Sequence, residues 1–402
     1  MKIRIEKGKA MGGITAPPSK SMAHRLLISA ALAEGKSTVR GISMCEDVLA
    51  TIDCLRALGA EIKICGDDAE VFGMDARNSS PKESLFCRES GSTLRFLIPI
   101  AMLSDKECIF CGSESLMRRP TELYEKLFAE KSLKYVKKSS QIEVCGRLTG
   151  GEYVVPGNIS SQFISGLLFA LPLADGDSVI RINSEIESRS YIDLTLSALK
   201  TFGVEAVWAD ACTLKVKGNQ SYRATDVQVE GDASGAAFIE ALNFLGGQAK
   251  IDGMNADSIQ GDAIYSELFE LLCSGAPTIS LGDCPDLAPI LFAMAAIKNG
   301  ATFFETKRLK IKESDRAEVM AEELRKFGTS VTVNENSVII EPSDFHAPSE
   351  LLSGHNDHRI VMALSVLLTA VGGEIDGAEA VAKSYPEFFD HLRQLKIEAK
   401  EI

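Results

Sequence analysis

Residues 17–25 read Pro17-Pro18-Ser19-Lys20-Ser21-Met22-Ala23-His24-Arg25, and this stretch indicates how the chain around it folds. The two prolines restrict the approach to Ser19, which suits the N-cap of a helix. Apolar residues at positions 22, 26, 27 and 30 then follow at helical spacing. Lys20 and Ser21 therefore lie in a first turn, where free N–H groups and the helix dipole favour an anion.

Arg25 lies four residues after Ser21, so its planar guanidinium group can reach the same anion. A lysine in a first turn opposes the helix dipole and needs an anionic partner to offset it. By itself the stretch is compatible with two interpretations: a capped surface helix with ordinary cations, or an anion-binding site. The rest of the chain has to distinguish them.

Length and composition limit the class of protein. The 402 residues are 45% hydrophobic and 25% charged, which is typical of a globular protein and, at this length, of two domains. The net charge of −13 argues against a nucleic-acid surface or an anionic membrane as partner. We expect a cytoplasmic, reduced protein without a membrane span, because no apolar run approaches the ~20 residues that a span needs and the first residues alternate like a strand.

The ten cysteines are scattered, and only Cys108 and Cys111 have C-x-x-C spacing. They lie in an apolar segment without a second pair or nearby histidines, so we expect a strand there rather than a metal or redox site. The segment Ala33-Glu34-Gly35-Lys36-Ser37 imitates the end of a P-loop, but it follows a helix and leads to a strand, the reverse of the required order. The sequence therefore predicts no nucleotide, metal or organic cofactor.

A short apolar helix followed by a strand recurs six times along the chain, and each copy is followed by a second helix and strand. The six segments are 26–39, 96–109, 163–180, 236–251, 290–303 and 360–375. Segments 290–297 and 360–371 are apolar nearly all round, which is typical of helices buried in a core. We therefore predict an α/β protein with two domains of three repeated units each, in which the helices lie inside and the sheets outside.

Glycine- and proline-rich crossings near residues 12–17 and 226–231 are the candidate hinge. On this basis residues 17–227 form one domain, and residues 1–16 with 228–402 form the other. A cleft between the domains is then the expected ligand site.

Hydroxyl, Lys or Arg side chains recur where these helices begin. The segments are 19–25, 89–95, 118–121, 160–162, 188–191, 310–316, 356–359 and 383–386. Any one of them is consistent with an ordinary cap or a solvated helix start, but together they predict an anion site built from several helix N-termini. Asp286 and Glu313 lie among these cations, either as ion-pair partners or as proton-transfer groups.

Six motifs resemble the signatures of the 5-enolpyruvylshikimate-3-phosphate (EPSP) synthase family, in the family's order and over nearly the whole chain. They are residues 18–25, 160–163, 229–234, 312–316, 356–359 and 383–386. The resemblance implies an inside-out α/β barrel of two domains, built from six βαβαββ-like units. It also implies a cytoplasmic, monomeric enzyme that transfers the enolpyruvyl group of phosphoenolpyruvate to shikimate 3-phosphate, on the route to chorismate.

Site residues follow from the resemblance position by position. For shikimate 3-phosphate it implies Lys20, Ser21, Arg25, Ser160, Ser161, Gln162, Ser188, Asp286 and Lys312. For phosphoenolpyruvate it implies Lys20, Gly91, Arg119, Gln162, Arg316, Arg359 and Lys383. The implied catalytic residues are Asp286 as proton acceptor, with Glu313 and Lys20 in proton transfer. Glu89, Phe96 and Arg308 depart from the family's usual residues.

Two other functions are weighed against this one. An enolpyruvyl transferase acting on UDP-N-acetylglucosamine shares the fold, but that family typically has a reactive loop cysteine, and no cysteine stands in a matching basic loop here. A non-catalytic anion-binding protein is the other alternative, and it would not need both acids among the cations.

Overall fold

The computed structural model describes all residues, Met1–Ile402, and contains thirteen α-helices and twenty-four strands. The helices are α1 (Lys20–Ala31), α2 (Glu46–Leu58), α3 (Gly91–Ala101), α4 (Glu114–Arg118), α5 (Glu122–Glu130), α6 (Ser161–Ala170), α7 (Arg189–Thr201), α8 (Ala233–Phe244), α9 (Tyr265–Ser274), α10 (Ala288–Ile297), α11 (Arg316–Arg325), α12 (His358–Val371) and α13 (Phe388–Gln394).

The first twelve strands are β1 (Ile3–Ile5), β2 (Met11–Thr15), β3 (Ala33–Glu34), β4 (Lys36–Arg40), β5 (Glu61–Cys65), β6 (Asp68–Phe72), β7 (Leu85–Phe86), β8 (Cys108–Cys111), β9 (Lys134–Lys137), β10 (Gln141–Cys145), β11 (Thr149–Val155) and β12 (Asp175–Ile182). The other twelve are β13 (Ala206–Asp210), β14 (Thr213–Val216), β15 (Tyr222–Arg223), β16 (Val227–Gln228), β17 (Gln248–Asp252), β18 (Thr278–Ser280), β19 (Ala301–Phe304), β20 (Val331–Val333), β21 (Ser337–Ile340), β22 (Leu352–Ser353), β23 (Gly373–Asp376) and β24 (Ala399–Glu401).

The chain divides into two compact units. The inserted unit is Lys20–Val229, and the terminal unit combines Met1–Ser19 with Glu230–Ile402. The sequence-based boundaries, 16/17 and 227/228, lie a few residues before these transitions. In the terminal unit, the N–H of Asp232 donates to the carbonyl of Pro17 at 2.7 Å, so the two crossing segments run side by side.

Five four-stranded sheets share one strand order. Their orders are β7-β8-β10-β9, β11-β12-β14-β13, β16-β4-β6-β5, β18-β19-β21-β20 and β22-β23-β1-β24. In each sheet the first two strands are parallel and the later pairs are antiparallel. Parallel neighbours need a crossover, and antiparallel neighbours can be joined by a hairpin. Three of the sheets come from one continuous β-helix-β-helix-β-β segment, whereas β16 and β1 join the other two sheets from distant parts of the sequence.

Each of the six predicted helix–strand segments contains a helix followed by a strand. Two further sheets depart from the pattern, because β17 pairs only with β2 and β15 pairs only with β3, in both cases in parallel. The helix after β17, α9, leads to β18, which belongs to the following sheet. The strand of segment 236–251 therefore lies in a two-stranded sheet, whereas the last strand of each other segment lies in a four-stranded one.

The core of each unit is helical. In α10 every residue except the last is buried, and α12 is buried from His358 to Thr369. Helices that are apolar on all sides must be surrounded by protein, which explains why these two are buried in the interior of their own unit. Each unit has its own cluster of buried apolar side chains. None of the helices combines the length and the hydropathy that crossing a membrane requires.

Candidate functional site

The first turns of several helices lie together in the inserted unit. Lys20 Nζ, at the start of α1, is 2.9 Å from Asp47 Oδ2, at the start of α2. Gln162 Nε2, at the start of α6, donates to Ser92 Oγ at the start of α3, at 3.0 Å. These contacts show that the polar N-terminal turns of different helices share one end of the unit, where their free N–H groups favour negative charge.

Arg25 joins α1 to α7. Its Nε donates to Thr195 Oγ1 at 2.9 Å, its Nη1 to the carbonyl of Ser21 at 2.7 Å, and its Nη2 to the carbonyl of Tyr191 at 2.9 Å. The guanidinium carbon also lies 5.2 Å from the centre of the Phe96 ring, within reach of a cation–π interaction. Burial lowers the pKa of Arg25 to about 10, so the side chain is still a cation at neutral pH.

Gly91 is surrounded by guanidinium groups. A Cβ at this position would lie 3.0 Å from Arg119 Nη1 and 3.1 Å from Arg95 Nη1, so only glycine leaves these groups room. The preceding residue, Ser90, caps α3 by accepting a hydrogen bond from the Thr93 N–H at 3.2 Å. Backbone N–H groups and two arginines therefore face one small region at the start of α3.

Polar side chains also begin α6 and α7. Ser160 caps α6 by accepting from the Gln162 N–H at 3.3 Å, and Gln162 Oε1 accepts from Arg95 Nη1 at 2.6 Å. Ser188 precedes α7 with a positive φ of 59° and is buried. The structure thus brings Gln162 to the arginines beside Gly91, which sequence separation alone did not reveal.

A second cluster is centred on Asp286 in the terminal unit. This residue lies in the 3-10 turn before α10, and its carboxylate accepts from Lys312 Nζ at 3.1 Å, Arg316 Nη1 at 2.9 Å and Arg359 Nη2 at 3.1 Å. Arg359 Nη1 also donates to the Asp286 carbonyl at 2.9 Å. Three cations from different segments therefore converge on one carboxylate.

Arg316 is the most buried cation of this cluster, with a side chain 1% exposed. Besides Asp286, it donates to Glu313 Oε2 at 2.7 Å and to Asp357 Oδ2 at 2.9 Å. Burial alone would lower the pKa of Arg316, but the charges of Asp357, Glu313 and Asp286 outweigh it and raise the pKa. Both predicted proton-transfer acids, Asp286 and Glu313, are thus held by the same permanent cation.

The two predicted lysines of the terminal unit, Lys312 and Lys383, have different surroundings. Burial, aided by Arg316, lowers the pKa of Lys312, and Asp286 opposes this shift. Lys383 ends a 3-10 helix, and its Nζ donates to the carbonyl of Asn356 at 2.5 Å. Lys383 therefore adjoins the turn that starts α12, which contains Arg359.

Some local predictions are corrected by the structure. Thr121, which ends the segment 118–121 and is consistent with a helix cap by residue type, occupies the N-cap position of α5 without a capping hydrogen bond from its side chain. Ser188 likewise precedes α7 without such a bond. The hydroxyl group of Ser19, which directly precedes α1, donates to Gln260 Oε1 at 3.0 Å. In all three cases the hydroxyl group precedes a helix, but tertiary contacts or backbone geometry determine how it is used.

Several residues that support the clusters were not identified from the sequence. Asp47 pairs with Lys20, and Asp357 pairs with Arg316 while it caps α12 by accepting from the Arg359 N–H at 3.0 Å. Asp262 is buried in the terminal unit and accepts a short hydrogen bond from Ser234. Asp357 lies within the recognised segment 356–359, whereas Asp47 and Asp262 lie outside every recognised motif and carried no signal in the sequence.

Comparisons with known proteins show which family and which fold this chain is similar to. Residues 5–392 match the family model of EPSP synthase (3-phosphoshikimate 1-carboxyvinyltransferase). A 3-phosphoshikimate 1-carboxyvinyltransferase of Clostridium beijerinckii is 39% identical, over 98% of this chain and 97% of the relative. One of Clostridioides difficile is 38% identical, over 98% and 97%. The fold resembles that of EPSP synthase from Acinetobacter baumannii, with a TM-score of 0.79 over the full length of both chains at 24% identity.

Proposed function

Because this chain belongs to the EPSP synthase (3-phosphoshikimate 1-carboxyvinyltransferase) family, we propose that its two clusters bind and activate the two substrates of that reaction. The chain catalyses the transfer of the enolpyruvyl group of phosphoenolpyruvate to shikimate 3-phosphate, in aromatic amino acid biosynthesis. The observation that carries the assignment of roles is the pairing of Asp286 and Glu313 with the buried Arg316.

The helix starts of the inserted unit bind shikimate 3-phosphate in this proposal. Lys20, Ser21 and Arg25 supply charge and hydrogen bonds at the start of α1. Three of the five N–H bonds of Arg25 are used by protein oxygens, which fixes the plane of the group and leaves two for a phosphate oxygen. The further contacts are Ser160, Ser161, Gln162, Ser188, Asp286 and Lys312.

Phosphoenolpyruvate carries a phosphate and a carboxylate, and several guanidinium groups are available to it. Gly91 lets the backbone approach the anion beside Arg119. Gln162 is held near the same glycine by the hydrogen bond that it accepts from Arg95. Arg316, Arg359 and Lys383 of the terminal unit supply the further positive charge, together with Lys20. Bidentate contacts of this kind orient the reacting carbon as well as neutralising the charge.

The carboxylates carry out the proton transfers of the proposed mechanism. Asp286 accepts the proton of the 5-hydroxyl group while that oxygen attacks C2 of phosphoenolpyruvate, and Glu313 with Lys20 delivers a proton to C3. The C–O bond to phosphate then breaks and phosphate leaves with the bonding electron pair, while Glu313 with Lys20 takes back a proton from the new methyl group, which restores the double bond. Arg316 holds both acids within 3 Å of its guanidinium nitrogens, and so fixes their relative position.

We also propose that the fold is a two-domain inside-out α/β barrel with six repeated units, and that the domains are 17–227 and 1–16 with 228–402. The shared strand order of five sheets supports the repeat, with β2 and β17 as a reduced sixth sheet. The proposed state is a cytoplasmic monomer that requires no cofactor. Size-exclusion chromatography with light scattering tests the oligomeric state, and activity after exhaustive dialysis against a chelator tests the cofactor.

One assay tests the function directly: release of phosphate from phosphoenolpyruvate on addition of shikimate 3-phosphate. UDP-N-acetylglucosamine serves as the control acceptor. We expect phosphate release when shikimate 3-phosphate is the acceptor and none when UDP-N-acetylglucosamine is the acceptor. Release with UDP-N-acetylglucosamine alone would reverse the choice between the two enolpyruvyl transferases.

A further inference from the structure

A continuous chain of buried hydrogen bonds crosses the inserted unit from α1 through α2 to α3. His24 Nδ1 lies 2.7 Å from Thr51 Oγ1, Thr51 Oγ1 lies 2.7 Å from Thr93 Oγ1, and Thr93 Oγ1 lies 2.8 Å from Ser90 Oγ. All four residues are at most 1% exposed. Apolar side chains of the same size would pack these helices without the cost of burying polar groups, so packing alone does not explain the chain.

The protons of the chain have a preferred order. Burial lowers the pKa of His24, and Lys20 and Arg25 lower it further, so the imidazole is neutral and carries one proton. With that proton on Nδ1, His24 donates to Thr51, Thr51 to Thr93, and Thr93 to Ser90, and each proton is used once. The reverse order would leave the Nε2–H of His24 buried without an acceptor, because Nε2 has no hydrogen-bond partner.

The two ends of the chain lie in the first turns that the proposed site uses. His24 belongs to the first turns of α1, which contain Lys20. Ser90 is the N-cap of α3 and directly precedes Gly91. Asp47 of α2 forms a parallel connection, because its carboxylate binds Lys20 at 2.9 Å and its carbonyl lies 3.4 Å from the Thr51 hydroxyl.

We infer that Thr51 and Thr93, together with His24 and Ser90, are positioning residues that hold the Gly91 turn of α3 in fixed register with the Lys20 turn of α1. This inference rests on the proposed assignment of Gly91 to phosphoenolpyruvate. A Cβ at Gly91 would already be 3.0 Å from Arg119 Nη1, so a small shift of α3 alters the spacing between its N–H groups and that arginine. Breaking these hydrogen bonds should therefore weaken the binding of phosphoenolpyruvate more than the binding of shikimate 3-phosphate.

The test replaces Thr51 by Val, which keeps the branched shape and removes the hydroxyl group. The variant leaves the buried Nδ1–H of His24 without its acceptor, whereas Thr93 still donates to Ser90. We expect the KM for phosphoenolpyruvate to rise about tenfold, the factor that corresponds to about 1.4 kcal/mol, and the KM for shikimate 3-phosphate to change less than about threefold. Thr51→Ser restores the hydroxyl group and should restore the wild-type KM, and Thr93→Val should have a smaller effect than Thr51→Val.

Two further variants make each outcome decisive. Thr369→Val removes a buried helical hydroxyl group that donates to its own helix, to the Val366 carbonyl at 2.7 Å, and reports the general cost of such a change. Arg119→Ala tests the phosphoenolpyruvate assignment without touching the chain. If Arg119→Ala raises the KM and Thr51→Val acts no differently from Thr369→Val, the positioning role is wrong and the assignment stands. If neither raises it, both are wrong.

Thermal unfolding separates positioning from folding. A lower midpoint for Thr51→Val with unchanged Michaelis constants would show a structural role only and would overturn the inference. An equal rise of both Michaelis constants would also overturn it, since it would mean that α1 moves rather than α3. A rise of the KM for phosphoenolpyruvate alone, reversed by Ser, supports it.

Discussion

Glu323 Oε1 lies 2.8 Å from His355 Nε2, and this contact ties a buried carboxylate of α11 to the turn before α12. The other oxygen, Oε2, accepts from the Ser353 N–H at 3.0 Å. Lys326 Nζ lies 2.9 Å from both oxygens and supplies the positive charge that offsets the charge of this buried carboxylate. Burial would raise the pKa of Glu323, but His355, Lys326 and the Ser353 N–H lower it overall.

The turn that Glu323 holds is strained. His355 and Asn356 have φ angles of 47° and 54°, in the left-handed region that costs a residue with a side chain roughly 1–3 kcal/mol. Asn356 supplies the carbonyl that binds Lys383, and the next residue, Asp357, binds Arg316. Glu323 therefore fixes the position of site residues without belonging to the site.

Glu323→Gln should lower both stability and activity, because an amide cannot replace the charge that pairs with Lys326 and His355. We expect the free energy of unfolding in urea to fall by about 2–4 kcal/mol and the kcat/KM for phosphoenolpyruvate by about 10- to 100-fold. The loss of stability should disappear at low pH, because a carboxylate with a lowered pKa stabilises the fold above its ordinary pKa and ceases to do so once protonated.

Glu318→Gln is the control, since this glutamate is exposed on the same helix and lies more than a turn before Glu323. It should change neither quantity. Equal effects of the two substitutions would refute the positioning role of Glu323.

Asp286→Asn and Glu313→Gln test the two acids. Each amide keeps the shape of the side chain but cannot accept or deliver a proton, so kcat should fall about 10²- to 10⁴-fold. Shikimate 3-phosphate binding, measured by calorimetry, should remain detectable in both variants. Glu318→Gln, an exposed glutamate in the first turn of α11, should retain wild-type kcat. Near-normal turnover of either acid variant would remove that residue from the mechanism.

Arg25→Lys tests the guanidinium fork. Its three nitrogens donate to Thr195, Ser21 and Tyr191, and these three directions require a planar group that an ammonium cannot imitate. We expect the KM for shikimate 3-phosphate to rise about 10- to 100-fold, with a smaller change for phosphoenolpyruvate.

The control for this substitution is Arg56→Lys. Arg56 also binds a carbonyl through two nitrogens, that of Ile62, but it lies on α2 away from the cluster. Its replacement should leave both Michaelis constants unchanged, and a KM for shikimate 3-phosphate that is equally unaffected in Arg25→Lys would contradict the phosphate assignment.

Asp262 makes the stability of the protein depend on pH. Burial, followed by repulsion from Asp286, raises the pKa of Asp262 from 3.8 to about 6, and Arg359 and Ser234 oppose the shift. Asp232 adds a weaker repulsion. The folded state therefore binds a proton more tightly than the unfolded chain, and the contribution of Asp262 to stability decreases as the pH rises from about 4 to 6.

Asp262→Asn should remove this contribution. We expect the difference in unfolding free energy between wild type and variant to shift against the wild type by at most about 3 kcal/mol across that pH range. Urea unfolding at pH 4, 5, 6 and 7 measures it. A difference that stays constant with pH would show that Asp262 does not titrate in this window.

Much of the fold could be predicted from the sequence because its signals are local. The six apolar helix–strand segments follow from hydrophobic periodicity, which depends only on residues a few positions apart. The two-stranded sheet of β2 and β17 could not be predicted in this way, because its two strands lie far apart in the sequence. Which strand completes a sheet is decided by the tertiary structure.

The chemistry of the site divides in the same way. The sequence by itself determined which residue types stand where helices begin, because capping and dipole effects act within one turn. This pattern was enough to identify Lys20, Arg25 and the motif around Lys312 as candidate anion-binding residues. Only the tertiary structure decided that Arg316 joins Asp286, Glu313 and Asp357, and that Thr51 joins His24 to Thr93. Such contacts depend on how separate helices pack, and a hydrogen bond exists only when that packing brings its two groups within about 3 Å.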